Sequence, residues 1–172
     1  MTNSHPFPLG RLAEFDERSK LFNITTVIPR GAEPITKFWD CDVRLNQGAE
    51  GACVGFGWAA ELAATPTVIP GITDSTGFTI YRAAKLVDEW PGENYEGTSV
   101  LAGAKTVASM GYMSEYRWAF SVEDLILAIG HHGPAVIGIN WYTGMDQIGA
   151  DGIAHVFGTV RGGHCVCIIG VD

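Results

Sequence analysis

From Cys53 to about Ile129 apolar residues recur with helical spacing, and after Gly133-Pro134 with strand spacing. Helices first and strands afterwards excludes alternating βαβ units, so the expected fold class is α+β, built as two lobes. From Cys53 to Ala64 the small and aromatic residues put Cys53, Phe56, Ala60, Ala63 and Ala64 near one face. This predicts a central buried helix beginning at Cys53 and ended by Thr65-Pro66. A second helix is expected from about Thr76 to Glu89, and a third from about Ser99 to Met110 with Gly111 as its left-handed cap. Ser121-Val122-Glu123-Asp124 has the form of a capping box and opens a fourth, to about Ile129. Strands are expected at Ala135 to Trp141, Ala154 to Thr159 and His164 to Val171. Residues 1–36, with Pro, Gly and charge around Leu21 to Ile28, read as an extended arm without a helix, and 37–172 as the domain it leads into.

Charge removes several classes of partner. The 172 residues carry a net charge of −8, which repels phosphate backbones and anionic headgroups, so neither nucleic acid nor a membrane surface is expected. No secretory leader and no bilayer-length apolar run is present, which points to a cytoplasmic or virion-associated protein. The cysteines at 41, 53, 165 and 167 have no zinc-knuckle spacing, and reduced thiols are expected. No metal and no cofactor is expected: His131-His132 closes a helix, His155 reads as a satisfied structural histidine, and Asp146 and Asp151 lack calcium-loop spacing. The five tryptophans read as packing residues, and Glu61 as a solvent-facing or gap-filling carboxylate.

Cys53 is the candidate nucleophile, because free N–H groups and the helix dipole at a helix start lower a thiol's pKa. Upstream, Gln47-Gly48-Ala49-Glu50-Gly51-Ala52 supplies a side-chain amide that, with the Cys53 N–H, can serve a developing oxyanion. Downstream, Gly162-Gly163-His164 sets an imidazole at a strand start where a peptide backbone can come close.

With these residues in place the sequence resembles the papain-like cysteine peptidases, in particular their bacterial and phage-type branch. The resemblance covers roughly residue 40 to the end. Besides Gln47-Gly48 with Cys53 and Gly162-Gly163-His164, it includes Gly97-Thr98-Ser99 with the helix after it, Gly111-Tyr112, the aromatic turn Ser114 to Trp118, and Gly133-Pro134-Ala135-Val136. It implies a two-lobed fold, with a helical lobe around the Cys-bearing helix and a β-rich lobe carrying the histidine. It also implies Cys53 as nucleophile, His164 as general base and then acid, and Gln47 as oxyanion donor. A peptide or protein substrate would bind along Gly97, Thr98 and Gly163, with Gly138 and Cys165 lining a pocket for a bulky apolar side chain. Glu50 and Val54 stand where the family has a disulfide cysteine and an aromatic. Cys53 and His164 are 111 residues apart, against roughly 130–150 in the papain signature. The family's orienting Asn, on the strand after the histidine, has no counterpart. The domain is therefore expected to be incomplete at its C-terminus, with a further segment or subunit completing the β lobe. Two other activities fit the same residues: a cell-wall peptide hydrolase or amide transferase with the same dyad, and an inactive peptide-binding or structural domain of a larger assembly.

Overall fold

The computed structural model describes residues 8–92 and 94–172; the first seven residues of the expected arm lie outside the described residues, as does Glu93. Strand β1 (Arg11–Leu12) is followed by two 3-10 helices, Glu17–Phe22 and Ile24–Thr26, and by β2 (Lys37–Phe38). Helices α1 (Cys53–Ala63) and α2 (Asp74–Ala84) come next, then β3 (Thr98–Ser99), α3 (Val100–Ser109) and α4 (Val122–His131). The chain ends in β4 (Ala135–Tyr142), a 3-10 turn (Thr143–Asp146), β5 (Val160–Ile168) and β6 (Gly170–Val171). The class is α+β, with the long helices ahead of the long strands.

Local chemistry sets the helix limits. The Ser99 hydroxyl accepts from the Ala102 N–H and the Ser121 hydroxyl from the Asp124 N–H, satisfying donors that a first turn leaves free. Thr73 and Thr76 form a reciprocal cap, so α2 starts ahead of Thr76. It also stops five residues short of Glu89, because Asp88 turns inward to accept from Tyr95 Oη and Thr98 Oγ1, both at 2.6 Å. Gly111 closes α3 at φ 80°, as a left-handed cap requires. The arm is not wholly extended: Asp16 and Asn23 accept from the N–H groups of Arg18 and Thr25, and each starts a short 3-10 helix.

Helix α1 is buried on nearly every side. It packs on α2 and α3 across one flank and on β4 and β5 across the other. Glycines make both contacts close. A Cβ on Gly55 would overlap the Gly77 carbonyl oxygen and lie 2.7 Å from Tyr81 N, and one on Gly57 would lie 2.9 Å from Cys165 Sγ. Backbone cannot yield as a side chain can, so Gly55→Ala is expected to destabilise the fold by about 2–3 kcal/mol and lower the melting temperature by about 5–10 °C. A circular-dichroism melt that stays within 1–2 °C of the parent would show that α1 and α2 can separate without cost.

Strands β4 and β5 form an antiparallel pair with Gly138 opposite Cys165, Ile139 opposite His164 and Trp141 opposite Gly162. Gly162-Gly163-His164 therefore lies inside β5, which begins at Val160, and not at a strand entry. The pair is two-stranded, and β6 leaves it to pair with β2. The strand expected at Ala154 to Thr159 does not form. Thr143 N donates to Thr159 O and Gly144 N to Phe157 O, so this stretch closes a loop on the 3-10 turn, with Val156 and Phe157 exposed.

Candidate active site

The start of α1 meets β5 at Cys53 and Cys165, which share one buried cluster, and Cys165 is the strand neighbour of His164. Cys53 is the first residue of α1, and Ala52 before it provides no side-chain cap, so nearby N–H groups remain available. The thiol is 1% exposed. Its pKa is nevertheless raised, opposite to the expectation from a helix start. Desolvation is the dominant cause, only partly offset by the N–H groups of Cys165, Gly10 and Val54 and by the Arg11 cation. The N–H of Cys165 ties the thiol to the strand residue next to His164.

Cys53 is buried in the core cluster with Val54, Trp58, Ala59 and Cys165, and the Gly10 N–H brings the arm to it as well. Pro8 to Leu12 runs as an extended peptide between the Gln47–Gly51 loop, β3 and β5. Arg11 and Leu12 pair in parallel with Thr98 and Ser99, and Thr98 N donates to Gly10 O at 2.9 Å. Gln47 Nε2 donates to Glu50 O at 2.8 Å and to Pro8 O at 3.3 Å. The expected oxyanion donor thus holds a peptide carbonyl. The arm faces backbone at glycines: a Cβ on Gly10 would overlap Gly51 O, one on Gly97 would overlap Gly10 O, and one on Gly163 would overlap Arg11 O. Arg11 lies over Gly138 and Gly163 and donates through Nη2 to Asn140 Oδ1 at 3.1 Å, while its Nε is buried without a hydrogen bond. Glu14 accepts from Ser99 Oγ and lies 3.6 Å from Lys105 Nζ.

His164 is partly buried, and burial together with the Arg161 cation holds its pKa below the ordinary imidazole value. Among the described residues its Nδ1 is buried without a hydrogen bond, and its ring meets Trp141 edge to face at 4.9 Å and 80°. No hydrogen bond joins the ring to Cys53 among the described residues.

A cavity of about 590 Å³ opens beside the arm, lined by Arg11, Trp58, Glu61, Val136 and Gly138 among others. Gly138 is among its lining residues. Cys165 is not, because its side chain turns to α1 and packs at Gly57. Glu61 faces this cavity, and desolvation pushes its carboxyl up to about 7. All four cysteines are free thiols, and no cluster of three metal-ligating side chains occurs among the described residues. His155 is exposed and bonds Asp151 at 2.8 Å, so it is no core residue. No helix among the described residues is long and apolar enough to cross a membrane.

Sequence reasoning missed Gly10 and Arg11 as occupants of the site, and Trp141 as the neighbour of His164. The second had a visible signal: Trp141 stands two residues beyond Ile139, and a glycine opposite it leaves room for the indole to lean toward His164. Comparisons with protein-family models, with curated proteins and with solved structures find no match to this chain.

Proposed function

We propose that this chain is a thiol-dependent endopeptidase of the papain-like, two-lobed type, held here in a self-masked form. The observation that carries the reading is the arm itself. An extended peptide crosses Cys53 with one carbonyl on the Gln47 amide and its backbone paired to Thr98, which is how a peptide substrate would be held. In the uncovered cleft His164 takes the Cys53 proton, and the thiolate attacks a peptide carbonyl carbon, whose oxygen is stabilised by Gln47 and the Cys53 N–H. The amine leaves with the proton from His164, and water hydrolyses the thioester. A cytoplasmic or virion-associated setting, with reduced thiols, suits this chemistry.

The unpartnered Nδ1 of His164 favours a second reading, a peptide-binding domain without turnover. Prolonged incubation with a peptidyl epoxide, followed by mass-spectrometric mapping, separates the two. Exposure alone favours Cys41 and Cys167, which are only partly buried, over Cys53 and Cys165. Modification confined to Cys53 is the expected result. Modification of Cys41 or Cys167 with Cys53 intact would sink the peptidase reading.

A further inference from the structure

We propose that Trp141 is the positioning residue for the His164 imidazole, itself locked by Asp146 and Arg161. The inference rests on the peptidase reading. An imidazole that must take a proton from sulfur and return it to a leaving amine needs a fixed ring plane, usually set by a hydrogen bond at its second nitrogen. Here that nitrogen, Nδ1, is buried with no hydrogen bond among the described residues, so its orientation rests on packing. The residue packed on it edge to face is Trp141, at 4.9 Å between ring centroids and 80° between planes.

Trp141 is fixed in turn. Its Nε1 donates to Asp146 Oδ1 at 2.8 Å, and the same oxygen lies 3.0 Å from Arg161 Nη2. The Arg161 and Asp146 side chains are only 7% and 16% exposed, which makes this pair geometrically restrictive in a way that surface ion pairs are not. Local sequence explains how the parts meet. His164 stands opposite Ile139, Trp141 is the next residue on that face, and its own cross-strand partner is Gly162. Beyond the bulge between Trp141 and Tyr142 one further pair, Tyr142 with Val160, precedes the turn that carries Asp146. A β-bulge, a turn aspartate and a strand arginine thus converge on one indole, and the indole on one imidazole.

The test is the rate of Cys53 alkylation by iodoacetamide in the full chain, read as the ratio of the rate at pH 6 to that at pH 9.5. Because Cys53 is 1% exposed, alkylation reports moments when the thiol is uncovered, and the ratio cancels differences in access. At pH 9.5 the thiol ionises with less help, whereas at pH 6 it needs a well-placed imidazole. Trp141→Ala is expected to lower the ratio at least ten-fold. Asp146→Asn is expected to lower it about three-fold, and Trp141→Phe, which keeps a ring against the imidazole, should stay within about three-fold of the parent. Should Trp141→Ala fail to fold, by circular dichroism, the Asp146→Asn ratio decides. Parent-like ratios in the folded variants would overturn the positioning role and leave the peptidase reading standing. A parent ratio no higher than that of a free thiol would overturn the Cys53-His164 pair itself, and the positioning role with it.

Discussion

Gly10→Ala, one added methyl, is expected to raise peptide hydrolysis by the full chain at least ten-fold. The new Cβ would overlap the Gly51 carbonyl oxygen, and both sides of that contact are backbone. The arm can relieve it only by lifting out of the site. What holds it there is a set of hydrogen bonds each of a kind worth about 1 kcal/mol net: Thr98 to Gly10, Gln47 to Pro8, Arg11 to Asn140 and Ser99 to Glu14. The buried, unpaired Nε of Arg11 opposes docking, since such a group costs about 1–3 kcal/mol. Losing about 1.4 kcal/mol of arm binding is a ten-fold shift in the open fraction, which a steric overlap of this kind exceeds. Because the arm competes with substrate, the gain belongs in a lower apparent KM on a fluorogenic peptide, with kcat little changed. Cys53 should also react faster with iodoacetamide at every pH. Unchanged hydrolysis and unchanged alkylation would show that the arm is not what closes the site.

How much of this was legible in the sequence depends on the range of the interactions. Ser99, Ser121 and Gly111 act within one turn, and their caps stand where the residue types put them. The α1 start at Cys53 and the existence of the two longest strands also follow from local pattern. Ala154 to Thr159 has the composition of a strand, yet pairing is a property of two segments. Backbone bonds from Thr143 and Gly144 take the carbonyls at Thr159 and Phe157 instead. The thiol environment was misread for a related reason. A helix start predicts a lowered pKa, but burial in a core that other elements complete, Cys165 of β5 among them, outweighs the dipole. Nothing in Pro8-Leu9-Gly10-Arg11-Leu12 names its binding place. Its counterparts are visible only in retrospect, as Gly51, Gly97 and Gly163, three glycines that meet one strand of backbone.

The largest loss is expected from removing the pair that the arm covers. In the Gly10→Ala chain, Cys53→Ala and His164→Ala should each lower kcat/KM by about 10³–10⁴, and the double variant should be no worse than the weaker single one, because a nucleophile and its base act as one unit. Independent contributions would instead multiply. The two single variants differ in their pH profiles. Without the imidazole, reaction at Cys53 depends on the thiolate alone, and burial raises that thiol's pKa. The His164→Ala residual rate should therefore climb steadily as pH rises toward 10, where the parent, needing a protonated imidazole to supply the leaving amine, has passed its maximum. Burial and the neighbouring Arg161 cation depress the His164 pKa, which moves the parent's alkaline limb to lower pH. A His164→Ala profile that keeps the parent's bell shape would assign the base to another residue. Retained turnover in Cys53→Ala would remove the thiol mechanism altogether.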